Sequence, residues 1–116
     1  MSDALLTIKV TQHGSATVVS PKGDIDLTGS PTLKVELKRL APAVSTDGRL
    51  IIDLSAVGYM DSSGLATLVE ALQASRKGRY KLVVCGLQPR VRAIFDIAKL
   101  AMVFTIVPSL DEALTA

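Results

Sequence analysis

Three short apolar runs, Leu50–Ile52, Leu82–Cys85 and Val103–Val107, alternate with segments whose apolar residues recur at helical spacing. This alternation restricts the chain more than any other feature. Continuous apolar runs of this length suit strands covered on both faces, and such strands are joined by crossover helices. Between the first two runs, Leu65, Leu68, Val69 and Leu72 stand at i, i+3, i+4 and i+7, predicting a helix from about Ser63 to Arg76 that Gly78 closes. Pro89 opens the next helix, with an apolar face of Val91, Ile94, Phe95 and Ala98. Upstream, Leu6, Ile8 and Val10 alternate with Thr7, Lys9 and Thr11 at the period of a half-buried strand. His13-Gly14 supplies a turn and Ala16–Ser20 a second strand, completing an antiparallel hairpin. Ser30 as a capping hydroxyl, followed by Pro31, starts a helix with Leu33, Leu37 and Leu40 on one face. Ser109 and Glu112 form a Ser-x-x-Glu capping box for a short terminal helix. The expected class is α/β: a mixed β-sheet opening with an antiparallel hairpin and continuing in right-handed βαβ units, with about five strands and four helices. Residues 1–116 read as one domain, without internal repeat or linker.

Composition narrows the function classes. Hydrophobic residues make up 48% of the 116 and aromatic residues 3%, so the core is aliphatic and large enough to need no disulfide or metal. A net charge of +2 does not point to nucleic acid. The cluster Arg76, Lys77, Arg79 and Lys81 has no aromatic platform among it and reads as a solvated turn. Cys85 is the sole cysteine and lies in an apolar run, which suits a buried inert thiol in a reducing compartment. Met1–Leu6 lacks the pattern of a signal peptide, and no apolar run approaches the roughly 20 residues of a membrane span. A soluble cytoplasmic protein is expected.

The informative segment runs Asp53-Leu54-Ser55-Ala56-Val57-Gly58-Tyr59-Met60-Asp61-Ser62-Ser63-Gly64-Leu65. It leaves the carboxyl end of a buried strand, the edge where open α/β sheets meet ligands and partners, and enters the first turn of a helix. A helix start presents backbone amides and the positive end of the dipole, which suit an anion. A phosphoryl group there adds about −1.5 to −2 charges. With Asp61 adjacent, and Asp24 and Asp26 close if the second strand ends at the same edge, the surface becomes strongly acidic and a docked partner is repelled.

Met60-Asp61-Ser62-Ser63-Gly64-Leu65, preceded by Asp53-Leu54-Ser55, resembles the STAS domain of bacterial anti-sigma factor antagonists. Gly23-Asp24-Ile25-Asp26 and, more weakly, Val84-Cys85-Gly86-Leu87 match the same family, and the order of elements agrees along almost the whole chain. The resemblance implies that Ser63 is the phosphorylation site, and that Asp24, Asp26, Met60, Asp61, Ser62 and Gly64 belong to the partner-binding surface. It further implies a partner switch. The unphosphorylated form binds an anti-sigma factor that is also a serine kinase and so releases a sigma factor; phosphorylation of Ser63 ends binding, and a serine phosphatase restores it. No cofactor is expected in this chain, because ATP and magnesium belong to the partner kinase. A STAS subunit of a stress-signalling assembly, or of a lipid-transport ATPase complex, is the alternative.

Simpler readings apply to single residues. Asp61-Ser62-Ser63-Gly64 alone is an ordinary helix start, with Ser62 as a candidate cap. Glycine inside a helix costs roughly 1 kcal/mol against alanine, so Gly64 needs a reason; a partner backbone or a tight loop-to-helix junction each supplies one. Two aspartates, Asp24 and Asp26, do not make a metal site. A Ser-His-Asp arrangement would rest on His13, the one histidine, in a hairpin turn. Neither a Gly-x-Ser-x-Gly elbow nor a phosphate-binding glycine loop is present. The chain reads as a non-enzyme.

Overall fold

A computed structural model describes residues 5–116. The remaining part of Met1–Leu6, read above for a signal peptide, lies outside the described residues. The elements follow in the order β1 (Thr7–His13), β2 (Ala16–Lys22), α1 (Ser30–Leu40), β3 (Arg49–Asp53), α2 (Ser62–Gly78), β4 (Lys81–Cys85), α3 (Pro89–Ile97), β5 (Thr105–Val107) and α4 (Leu110–Thr115). The five strands form one sheet in consecutive order. β1 and β2 pair antiparallel, and β2 through β5 pair parallel. The expected mixed sheet, hairpin and βαβ units are all present.

The pleat divides the residues of β2, β3 and β4 between two apolar layers. Val19, Leu50, Ile52, Leu82 and Val84 pack with Leu33, Leu37, Leu68, Val91 and Phe95 of α1, α2 and α3. The alternate residues Ala16, Val18, Ile51, Val83 and Cys85 pack with Ala113 of α4. All three crossover helices share a face, as like-handed connections in consecutive strand order require. Phe95 and Phe104 meet edge to face, with centroids 5.3 Å apart. Cys85 is buried, and burial first, then Asp53, pushes its thiol pKa up to about 12. The thiol is inert at neutral pH.

Several boundaries differ from the expected ones. Val103 and Phe104 lie outside β5, because their amides turn back to the Leu100 carbonyl. Ala98 is exposed at the end of α3 instead of lying on its apolar face. Ser30 is the first residue of α1 and not its cap; Gly29 precedes it, and Asp26 Oδ1 accepts from the Thr28 and Gly29 amides. At the other end of α2, Gly78 is still helical and Arg79 takes the left-handed conformation, with φ 59°. Gly78 has a different purpose. A Cβ there would stand 2.6 Å from the Tyr80 ring. Gly78→Ala should therefore cost about 1–3 kcal/mol through displacement of that buried ring. Arg79→Gly should be neutral or stabilising by up to about 1 kcal/mol, since a left-handed residue with a Cβ is itself strained. Urea denaturation of the two variants checks this opposite response.

Candidate functional site

Beyond the end of β2 the chain turns at Gly23 and runs alongside the loop that follows β3. Gly23 N–H donates to the Ala56 carbonyl, Ile25 N–H to Tyr59, and Asp61 N–H to the Ile25 carbonyl. Ile25 and Met60 thus form a single parallel bridge beyond the strands proper. This bridge carries Asp24 and Asp26 to the mouth of α2.

Gly64 explains how close that approach is. A Cβ on it would lie 2.5 Å from the Ile25 carbonyl oxygen and 2.8 Å from both Ile25 Cγ2 and Met60 Cγ. Of the two reasons considered for this glycine, the tight junction is the one observed. Gly64 and Met60 are both buried, Met60 to 3% exposure. In the free domain they seat the loop on the helix, so any part they take in a contact surface is through the backbone they position. Asp24 and Ser62 are exposed, whereas Asp26, Asp61 and Ser63 are half-buried.

Asp61, not Ser62, caps α2. Its Oδ1 accepts from Ser63 N–H at 2.9 Å, Gly64 N–H at 3.3 Å and the Ser63 hydroxyl at 2.5 Å. The Ser63 hydroxyl bond is the main influence holding this carboxyl below its ordinary pKa. Burial opposes it, and the amides of Gly64, Ser63 and Leu27 reinforce it. Ser63 Oγ also accepts from the Ser30 hydroxyl at 3.1 Å.

The rim is completed from β4. Gly86 has φ 71°, and a Cβ there would lie 2.9 Å from Asp53 Oδ1, the oxygen that accepts from Ser55 N–H. Both flanking motifs, Asp53-Leu54-Ser55 and Cys85-Gly86-Leu87, therefore shape one loop pair. Gln88 Nε2 donates to the Ser55 carbonyl, and Arg90 stands 6.0 Å from the Tyr59 ring centroid.

Sequence reasoning missed Ser30, Leu27 and Tyr59. Leu27, 78% exposed, and Tyr59, 41% exposed, are large apolar side chains flanking the acidic residues. Leu27 carried a signal, being apolar between Asp26 and Thr28. His13 lies at the opposite end of the sheet, paired with Ala16 where β2 begins. A seven-residue strand spans roughly 20 Å, so no Ser63–His13 chemistry is feasible. Among the described residues no cluster of His, Cys, Asp or Glu could hold a metal, and no helix is long and apolar enough to cross a membrane.

The sheet order and this helix mouth define a STAS-type domain, and the STAS domain profile matches residues 7–113. The chain belongs to the STAS-domain anti-sigma factor antagonist family. It is 36% identical over 84 residues to the anti-sigma-B factor antagonist of Listeria monocytogenes, covering 72% of each chain. Against the anti-sigma-B factor antagonist of Bacillus subtilis it is 30% identical over 95 residues, covering 82% of this chain and 84% of the relative. The crystal structure of an anti-sigma factor antagonist from Mycobacterium paratuberculosis superposes with a TM-score of 0.80 at 29% identity, covering 95% of this chain and 92% of that one.

The Asp61 cap has a measurable consequence. A carboxyl whose pKa is lower folded than unfolded contributes stability above its unfolded value, about 4, and loses it as pH falls through the lower folded value. Asp61→Ala should cost about 0.5–2 kcal/mol at pH 7, and the difference from the unsubstituted protein should shrink below about pH 4. Urea titrations across that range measure it.

Proposed function

We propose that the chain is an anti-sigma factor antagonist that works, without catalytic activity of its own, as a phosphorylation-controlled partner switch. The unphosphorylated form binds an anti-sigma factor serine kinase and thereby frees a sigma factor. Phosphate on Ser63 ends that binding, and a serine phosphatase reverses it. The observation carrying this reading is the setting of Ser63: a half-buried hydroxyl at a helix mouth, its proton directed at the Asp61 carboxylate 2.5 Å away.

The surroundings suit a docked protein. Asp24, Leu27, Tyr59 and Ser62 are exposed around Ser63, offering acidic and apolar contacts together. Apolar side chains supply desolvated contact area, and the carboxylates favour a partner with basic groups. Adding about −1.5 to −2 charges in their midst reverses the balance for any carboxylate or apolar group packed there. The nucleotide and its magnesium come with the kinase; this chain contributes the acceptor hydroxyl and the surface around it.

Candidate serine kinases from the same genome, each supplied with ATP and magnesium, test the reading. One phosphate at Ser63 is the expected product; phosphate on Ser62 would shift the register of the site by one residue, and phosphate elsewhere would refute it. Ser63→Ala should remain folded and bind the kinase persistently. Ser63→Asp should bind at least about tenfold more weakly, the equivalent of 1.4 kcal/mol. Equal affinity of the two variants, measured by calorimetry, would remove charge as the switching variable.

A further inference from the structure

Ser30 begins α1, yet its hydroxyl serves α2. The residue is 7% exposed, its backbone N–H bonds to the Asp26 carbonyl at 2.7 Å, and its Oγ donates to Ser63 Oγ at 3.1 Å. Asp26 and Gly29 already form the start of α1, so the Ser30 hydroxyl is not needed as a cap. Its bond spans 33 residues of sequence and joins two helices at the acceptor atom itself.

We propose that Ser30 is a positioning residue for phosphoryl transfer to Ser63, an inference that rests on Ser63 being the acceptor. A serine hydroxyl has one proton and two lone pairs. Asp61 Oδ1 takes the proton and the Ser30 hydroxyl occupies one lone pair. One lone pair is left to attack phosphorus. With two partners on different elements, Ser63 Oγ is held in one rotamer and that lone pair in one direction.

In the transfer, a bond forms from Ser63 Oγ to the γ-phosphorus of the nucleoside triphosphate held by the kinase, and the bond from phosphorus to the nucleoside diphosphate oxygen breaks. The hydroxyl proton leaves along its existing hydrogen bond toward a carboxylate, the Asp61 position. The phosphorylated Oγ no longer carries a proton for Asp61, but it still accepts from Ser30. Ser30 is thus the one of the two partners able to keep its bond in both states. Because it is buried, it sets the geometry of the acceptor without touching the kinase, and so affects turnover and not docking.

The test compares Ser30→Ala, Ser30→Thr and the unsubstituted chain. Three-bond couplings between the α- and β-protons of Ser63, measured by NMR without any kinase, should report a single rotamer in the unsubstituted chain and in Ser30→Thr. In Ser30→Ala they should average over rotamers. With the kinase that modifies the unsubstituted chain, ATP and magnesium, Ser30→Ala should lower kcat on the order of tenfold, as loss of one orienting hydrogen bond does. KM for the chain should stay unchanged, and Ser30→Thr should retain most of the rate. Unchanged couplings and kcat in Ser30→Ala would overturn the role of Ser30 while leaving Ser63 as acceptor. So would a change confined to KM, or a loss in Ser30→Thr equal to that in Ser30→Ala. Failure of every kinase to modify Ser63 in the unsubstituted chain would overturn the acceptor assignment and this inference with it.

Discussion

The arrangement at the helix mouth depends on one close approach, that of the Ile25 carbonyl to Gly64. A side chain at position 64 would penetrate to 2.5 Å of that oxygen, so only glycine lets the segment after β2 lie against the first turn of α2. The bridge between Ile25 and Met60 then extends the parallel pairing past the ends of the strands. Two loops that elsewhere would move separately become one surface, with Asp24, Asp26 and Leu27 on one side and Tyr59, Asp61 and Ser62 on the other. Glycine's propensity cost, about 1 kcal/mol in a helix interior, is small beside what a forced separation of these backbones would require.

Asp61 organises charge around that junction. A single oxygen gathers two amides of α2 and the Ser63 hydroxyl, and the carboxylate also faces the Leu27 amide. The opposite end of α2 carries Arg76 and Lys77, so the helix has an acidic cap at its positive pole and basic residues at its negative pole. The basic cluster read from the sequence is therefore remote from the helix mouth and exposed at the turn into β4. This polarity is a property of the helix before it is a property of any partner.

The layering of the domain was legible because period-two and period-3.6 patterns report burial directly. The apolar run Leu82–Cys85 lies within β4, and the two faces of each central strand fill the two apolar layers. The site was legible only as a segment. Membership in Met60-Asp61-Ser62-Ser63-Gly64-Leu65 does not distinguish residues that pack from residues that face outward, and Met60 and Gly64 prove to pack. The Ser30 hydroxyl was assigned to the nearest amides, as local reasoning requires, whereas its partner lies on another helix. Contacts of that kind depend on how helices settle against each other, which periodicity does not encode.

A helix mouth occupied by a carboxylate changes how an added phosphoryl group is accommodated. The Ser63 and Gly64 amides already bond to Asp61, so a phosphate on Ser63 does not enter an empty anion site. It shares the dipole's positive end with an existing negative charge and removes the proton that joined Ser63 to it. Water at the sheet edge screens the two groups in the free domain, where Ser62 and Asp24 are exposed. A docked protein excludes that water, and the same pair of charges then interacts through a lower effective dielectric. Under the switch proposed above, the penalty would accordingly fall on the complex far more than on the fold, and the existing Asp61 charge would steepen that difference.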